Sequence, residues 1–289
     1  MTETRPTIAD KRRAFRQLHS SGCFVIPNPW DVGSARYLQS LGFKALATTS
    51  SGFAWSRGHS DGAVSRDMAL AHLRDIVAAT DLPVNADFES GFAPNAAGVA
   101  ESVHRAVGTG VAGLSIEDST GDAAKPLYEI SDAVERMRAA RRAIDQAGGD
   151  TLLVGRAECF LVGRPDLDET IARLKAYADA GADCLYAPGI RTREQISAVV
   201  AAVAPKPVNL LIGSASELTM QQIAELGVRR VSVGGALARS AWAGFMRAAT
   251  LIAEQGKFDG FANAASGNEL NSLFRDDRWQ GSNATSSPS

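Results

Sequence analysis

Residues 83–117 read PVNADFESGFAPNAAGVAESVHRAVGTGVAGLSIE, and they contain the unit from which the whole chain is built. A short apolar run (83–87, PVNAD) leads into a polar, Gly-containing turn. An Ala-rich amphipathic stretch follows and stops at glycines, as a helix C-cap does, and a second apolar run (113–117, GLSIE) begins. Short apolar runs separated by a helix-length crossover predict parallel strands joined by right-handed connections.

The same unit recurs in both directions. Upstream, apolar runs occupy 23–27 (CFVIP) and 45–50 (ALATTS); downstream they occupy 152–156 (LLVGR), 184–187 (CLYA), 207–211 (PVNLL) and 230–233 (RVSV). Amphipathic segments such as SDAVERMRAARRAIDQAGG and LDETIARLKAYADAGAD lie between them. Eight units in 289 residues predict a single (β/α)₈ barrel over residues 21–256. The alternative, a doubly wound open sheet, lacks a GxGxxG or Walker A element to support it. Residues 1–20 are expected to form an arm and a helix that plugs the N-terminal face. Residues 257–289 form an extension with a short helix near Glu269–Phe274 and a disordered last dozen residues.

Composition narrows the function classes. The chain is 45% hydrophobic and 21% charged with a formal net charge of −2, ordinary for a globular protein with a sizeable core. Lys and Arg are spread along it, so neither nucleic acid nor a membrane surface is an expected partner. No signal-peptide or transmembrane-length run is present, and a cytoplasmic setting is expected. Cys23, Cys159 and Cys184 are odd in number and widely spaced, which argues for buried hydrophobes rather than a disulfide framework or zinc site.

A barrel carries its chemistry at the C-terminal ends of its strands. Here those ends supply Thr48 to Gly52, then Asp87 and Glu89, then Glu117 and Asp118, then Arg156 and Glu158, and finally Asn209. Five carboxylates around one mouth repel each other unless a hard cation or basic side chains compensate them. Asp87 and Glu89, two apart along a strand, are expected on one side, and Asp118 is expected to alternate outward. Oxygen ligands without His or Cys favour Mg²⁺ or Mn²⁺ over zinc. The competing reading makes these acids helix caps or partners of Arg156. Arg156 itself is either the anchor of a substrate carboxylate or a structural bridge to Glu158 or Glu117. The turn Ser51-Gly52-Phe53 either offers backbone N–H groups to an oxyanion or only needs its glycine to bend. Gly234 and Gly235 follow the eighth strand, where a phosphate site or simply the start of the last helix is expected.

The segments NPWDVGSARYLQSLGFKALATTSSG, ADFESGF, SIEDS, GRAECF and AGADCLYAPG resemble the isocitrate lyase/phosphoenolpyruvate mutase superfamily, from about Cys23 to Phe245. The resemblance implies a Mg²⁺-dependent barrel, a homotetramer with the eighth helix swapped between neighbours, and chemistry on a 2-oxo acid through an enolate. By position, it implies Asp87 as principal metal ligand, Glu89 and Glu117 as holders of metal-bound waters, and Asp61 near the reacting carbon. Ser51, Gly52 and Arg156 would hold the oxo-acid carboxylate and the enolate oxygen, and Glu158 would be the acid that follows that Arg. Phe53 of the turn and Asn209 at the end of the seventh strand are expected in the substrate site from their positions at strand ends alone. The superfamily's isocitrate and methylisocitrate lyases carry a Cys in the loop after the fourth strand. Here that loop reads EDSTGDAAKPLYEIS and has none. The implied activity is therefore a 2-oxo acid lyase such as an oxaloacetate decarboxylase, not an isocitrate-type lyase. A phosphonopyruvate hydrolase or mutase, and a non-catalytic barrel that binds a 2-oxo acid, are the alternatives. Asp61, a metal-bound water, Tyr186 and Lys125 are the candidate proton donors.

Overall fold

The computed structural model describes residues 5–275, and within them the eight-unit reading holds. Helix α1 (Ile8–Leu18) precedes β1 (Phe24–Ile26), α2 (Val32–Ser40), β2 (Leu46–Ala47), α3 (Ser50–Ser56), α4 (Arg66–Ala79) and β3 (Val84–Asp87). Then come α5 (Ala96–Val107), β4 (Gly113–Glu117), α6 (Ile130–Gln146), β5 (Leu152–Arg156), α7 (Leu167–Asp179) and β6 (Cys184–Tyr186). The chain continues through α8 (Arg193–Val203), β7 (Val208–Leu211), α9 (Met220–Glu225), β8 (Arg230–Ser232) and α10 (Ala236–Gln255). A 3₁₀ turn (Asp259–Phe261) and α11 (Gly267–Phe274) end it. The helix expected near Glu269–Phe274 is α11; the disordered tail expected beyond it lies outside the described residues.

All strands are parallel, in the order β1-β8-β7-β6-β5-β4-β3-β2. One backbone bond, Ala47 N–H to Pro27 O at 3.0 Å, draws β2 against the end of β1 and closes the ring. Asn28 seals the same seam from the mouth side. Its amide donates to Thr48 O at 2.9 Å, and its Oδ1 accepts from Val233 and Gly234 N–H, both at 2.9 Å. The N–H groups at Val233 and Gly234 are thereby used in closing the barrel, and Gly235 caps α10, so this turn begins the last helix.

The helices form where the periodicity says. In α5, Val99, Val103, Ala106 and Val107 are buried at helical spacing, and Asn95 caps its start by accepting from Gly98 N–H. Helix α1 does plug the N-terminal face. Phe15 is fully buried among Ile26, Ala45, Ala47, Ala112 and Leu152, a burial whose loss to Ala costs about 3–5 kcal/mol. Gly113 permits that insertion, because a Cβ there would stand 2.7 Å from the Phe15 ring. Lys11 and Arg12 tie the plug down by donating to the carbonyls of Val77, Thr80, Val107 and Val111.

The barrel interior departs from the usual Val/Ile/Leu filling. Asn85, Ser115, Asn209, Arg230 and Ser232 are all buried there. Arg230 donates to Asn209 Oδ1 at 2.9 Å and to Asn85 Oδ1 at 3.3 Å, and its guanidinium reaches His19 Nε2 at 3.4 Å. Neutral partners therefore satisfy a buried cation. In α10, by contrast, only Ala238 is buried, and Phe245 and Met246 are 63% and 59% exposed.

Candidate active site

Strand ends bring the acids to one mouth. Asp87 ends β3, Glu117 ends β4, and Arg156 ends β5 with Glu158 two residues on. Arg156 is the hub. Its Nη1 lies 3.2 Å from Asp87 Oδ1 and 3.3 Å from Glu117 Oε2, and its Nε pairs with Glu158. The Tyr186 ring lies 5.1 Å beneath the guanidinium. Asp87 accepts a second bond, from the Ser50 N–H at the start of α3, at 2.9 Å. Arg156 is thus a structural bridge among three carboxylates, and the same side chain lines the mouth cavity.

Glu89 joins the cluster for a different reason from the expected one. Strand β3 stops at Asp87, so alternation does not extend to Glu89; instead Glu89 takes a left-handed backbone (φ +46°). Such a conformation costs about 1–3 kcal/mol outside glycine and persists only where the surroundings impose it. Glu89 O accepts from Glu117 N–H at 3.0 Å, which fixes the turn against β4. Burial, with Asp87 and Asp61 adding repulsion, pushes Glu89 up to about 7. Burial likewise lifts Glu117 well above the usual carboxylate range, against the pull of Arg156, and it raises Glu158.

Asp118 is the acid that leaves the mouth, as alternation predicts, but it goes into the protein rather than to solvent. It is 1% exposed. Its Oδ2 accepts from Tyr177 Oη at 2.5 Å and from Arg173 at 3.1 Å, and its Oδ1 accepts from Glu158 N–H at 2.8 Å. It supports the Arg156–Glu158 pair from behind.

Asp61 arrives from the loop after α3. The loop residue is exposed, yet its carboxyl turns toward the site: local desolvation and then Asp87 raise it, while a bond with Ser50 lowers it. Ser51 faces the mouth, its hydroxyl 3.1 Å from Thr49 Oγ1. Gly52 is buried and needed for packing, since a Cβ would stand 2.7 Å from Thr49 and 3.0 Å from Trp30. The expected turn is the first turn of α3, so the N–H groups of Gly52 and Phe53 already bond to Thr49. The structure does not bring Phe53 to the mouth; its ring stacks on His72, centroids 3.9 Å apart. Asn209 lies on the cavity floor with its amide already engaged by Arg230 and Ser232.

The mouth cavity holds about 180 Å³, lined by Ser51, Asp61, Asp87, Arg156, Tyr186 and Asn209 among others. Tyr186 is buried and its hydroxyl is pushed up to about 12, chiefly by burial. Lys125, another proposed donor, is exposed beside Glu129 at 3.8 Å. Its loop folds on itself through a Ser119–Leu127 bridge and a Thr120 Oγ1 bond to Lys125 O, away from the cavity walls. The lumen-facing Arg230 was missed from sequence, although the alternation Arg230, Ser232, Gly234 on β8 carried the signal.

Among the described residues no three Asp, Glu, His or Cys side chains are placed to hold a bare ion between them. An excess of carboxylates around one arginine instead suits Mg²⁺, which takes one or two carboxylates directly and keeps several waters. Asp87 fits as the direct ligand and Glu89 and Glu117 as acceptors from those waters.

Comparison with known proteins agrees with this architecture. The chain resembles the oxaloacetate decarboxylase of Paraburkholderia xenovorans at 32% identity over 235 residues, 78% of this chain and 76% of that one. A Burkholderia cenocepacia J2315 structure, named provisionally as a lyase/mutase, is 49% identical with TM-score 0.90, covering 93% of this chain and 97% of its own. The structure of an oxaloacetate acetylhydrolase with its product oxalate is 27% identical with TM-score 0.80, over 92% and 94% of the two chains. The phosphoenolpyruvate phosphomutase family profile matches residues 15–253. A barrel with this carboxylate mouth and this match along its length belongs to the phosphoenolpyruvate mutase/isocitrate lyase superfamily.

Proposed function

We propose that the chain is a Mg²⁺-dependent carbon–carbon lyase or decarboxylase of the cytoplasm, acting on a small 2-oxo acid of the oxaloacetate type through an enolate. The observation that carries this reading is the Arg156 fork, held at the cavity by Asp87, Glu117 and Glu158. A planar fork already oriented in a half-buried site is suited to a substrate carboxylate. The oxaloacetate enzymes among its relatives support the same substrate type.

Bound by Asp87, with Glu89 and Glu117 accepting from its waters, Mg²⁺ would supply Lewis-acid polarisation of the 2-oxo group. The chain's own residues do the rest. Arg156 and Ser51 orient the C1 carboxylate. Glu158 holds the Arg156 fork in plane, and Asp118 holds Glu158 through its backbone N–H. As the bond to C3 breaks, its electron pair passes into the C2 carbonyl, and C3 must then take a proton. Asp61 is the donor this reading favours, because its raised carboxyl lies at the cavity edge where C3 would stand.

Turnover of oxaloacetate and of phosphonopyruvate, each with Mg²⁺ and with EDTA, tests the reading. Oxaloacetate is expected to react with Mg²⁺ only, and Asp87→Ala to abolish that reaction while the fold survives. Preference for phosphonopyruvate would make the protein a P–C enzyme, and binding without turnover would make it a non-catalytic barrel. The exposed apolar face of α10 (Trp242, Phe245, Met246) supports a swapped helix and a homotetramer, which analytical ultracentrifugation tests directly.

A further inference from the structure

Arg230 is a donor-only cation, 2% exposed, that lines the mouth cavity from inside the barrel, and none of its partners is charged. Asn209 Oδ1 and Asn85 Oδ1 accept from it. His19 turns its bare Nε2 toward it, because the other ring nitrogen lies 2.8 Å from the Phe15 carbonyl and must donate there. Among the described residues no carboxylate pairs with Arg230. A cation without a counter-ion orders and polarises the hydrogen bonds around it.

Here it sets the direction of a chain. Tyr186, Asn209 and Arg230 are register partners in one row across β6, β7 and β8, and Ser232 stands two residues past Arg230 on the same face. Arg230 cannot accept, so the Asn209 oxygen must face its Nε, at 2.9 Å. The Asn209 amide nitrogen then donates to Ser232 Oγ, also at 2.9 Å. That leaves the Ser232 proton for the Tyr186 hydroxyl, and the side-chain hydrogen bond between them lowers the phenol against the larger effect of burial. Tyr186 therefore accepts from the barrel interior, and its own proton is left for the mouth cavity, where Arg156 lies over its ring.

An enolate formed at this mouth needs such a donor. The C2 oxygen gains charge as the bond to C3 breaks, and donors aimed at it lower the barrier. The backbone N–H groups of Ser50, Gly52, Phe53, Val233 and Gly234 are already committed, to Asp87, Thr49 and Asn28. Arg156 and Ser51 serve the C1 carboxylate. We propose that the Tyr186 hydroxyl donates a hydrogen bond to the C2 oxygen, and that Arg230, Asn209 and Ser232 are positioning residues that hold its proton toward the substrate. The inference rests on the 2-oxo acid reading above and deepens it. Tyr186 keeps its proton throughout, and the proton for C3 still comes from Asp61.

Tyr186→Phe keeps the ring under Arg156 and removes the hydroxyl. It is expected to lower kcat for oxaloacetate about a hundredfold while KM stays within about twofold. Calorimetry with Mg²⁺ reads the same bond without turnover: Kd for oxalate, which mimics the enolate, should weaken about tenfold, and Kd for pyruvate about twofold or less. Asn209→Asp tests the direction. A carboxylate there can only accept, so Ser232 donates to it, Tyr186 donates to Ser232, and the substrate loses its donor. The new ion pair with Arg230 keeps the fold, which the melting midpoint checks, and kcat and oxalate Kd should change as in Tyr186→Phe. Arg230→Met should lower kcat about tenfold in the wild-type background and no further in Tyr186→Phe, because it acts through that hydroxyl. An equal loss in both backgrounds, or wild-type behaviour of Asn209→Asp, overturns the chain. A Tyr186→Phe variant with wild-type kcat and oxalate Kd overturns the donor and leaves the decarboxylase standing. Weakened oxalate binding by Tyr186→Phe, with no turnover of oxaloacetate by the wild type, upholds the donor and overturns the decarboxylase. Wild-type protein that binds neither oxalate nor pyruvate overturns both.

Discussion

Asp118→Asn preserves the shape of a buried side chain and removes its charge, and three donors decide what that costs. Tyr177 Oη and Arg173 Nη1 approach one oxygen at 2.5 and 3.1 Å, and Glu158 N–H approaches the other at 2.8 Å. An amide has a single acceptor oxygen. If that oxygen serves Tyr177 and Arg173, the NH₂ group faces the Glu158 N–H, donor against donor. A buried donor left unsatisfied costs about 1–3 kcal/mol, and breaking a buried ion pair costs about 3–5 kcal/mol. Arg173 retains Glu169 at 2.7 Å, which places the expected loss near the lower end, about 3 kcal/mol. Scanning calorimetry should show the melting midpoint falling by roughly 6–12 °C. Glu158 loses its backbone anchor in the same variant and with it the orientation of Arg156, so kcat/KM for oxaloacetate should fall about tenfold or more, roughly 1.4 kcal/mol. A variant melting within about 2 °C of wild type, less than 1 kcal/mol, would show that the buried network does not carry the pair.

Three further outcomes are expected. Arg156→Lys keeps the charge but cannot bridge Asp87, Glu117 and Glu158 with one planar group, so KM for a 2-oxo acid should rise about tenfold or more, and an unchanged KM would leave Arg156 a purely structural bridge. His72 is buried, among the described residues its Nε2 has no partner, and desolvation holds its pKa down to about 4 from 6.5. Its contribution to stability is therefore complete above pH 6.5 and lost as pH falls toward 4; unfolding free energies should show wild type losing about 2 kcal/mol relative to His72→Gln between pH 7 and 5, and a gap that does not change with pH would refute the neutral ring. Cys159 and Cys184 are buried and Cys23 is half-buried, none of them on the mouth cavity, so replacing all three by Ala or Ser should spare activity, and the protein should not cleave isocitrate. Release of glyoxylate blocked by a thiol reagent would contradict that.

What the amino-acid order determined by itself were the features whose physics is local. Each strand is a short apolar run and each helix a periodic stripe stopped by glycine, so all eight strands, the plugging helix and α11 could be placed without coordinates. The mouth acids followed from the same locality, because a residue at the end of a parallel barrel strand faces the mouth wherever the strand lies. Locality also limited that reading. Alternation was extended to Glu89, whose position depends on a left-handed turn held by the Glu117 N–H. Phe53 was assigned to the substrate by its neighbours in sequence, whereas α3 begins early enough to turn its ring onto His72, 19 positions further along. Which carboxylates Arg156 joins, how Asp118 is satisfied inside the protein, and the hydrogen-bond chain that starts at Arg230 were decided only in three dimensions. Each depends on side chains far apart in sequence meeting in a desolvated space, where the distance between charges, not their order along the chain, sets the energy.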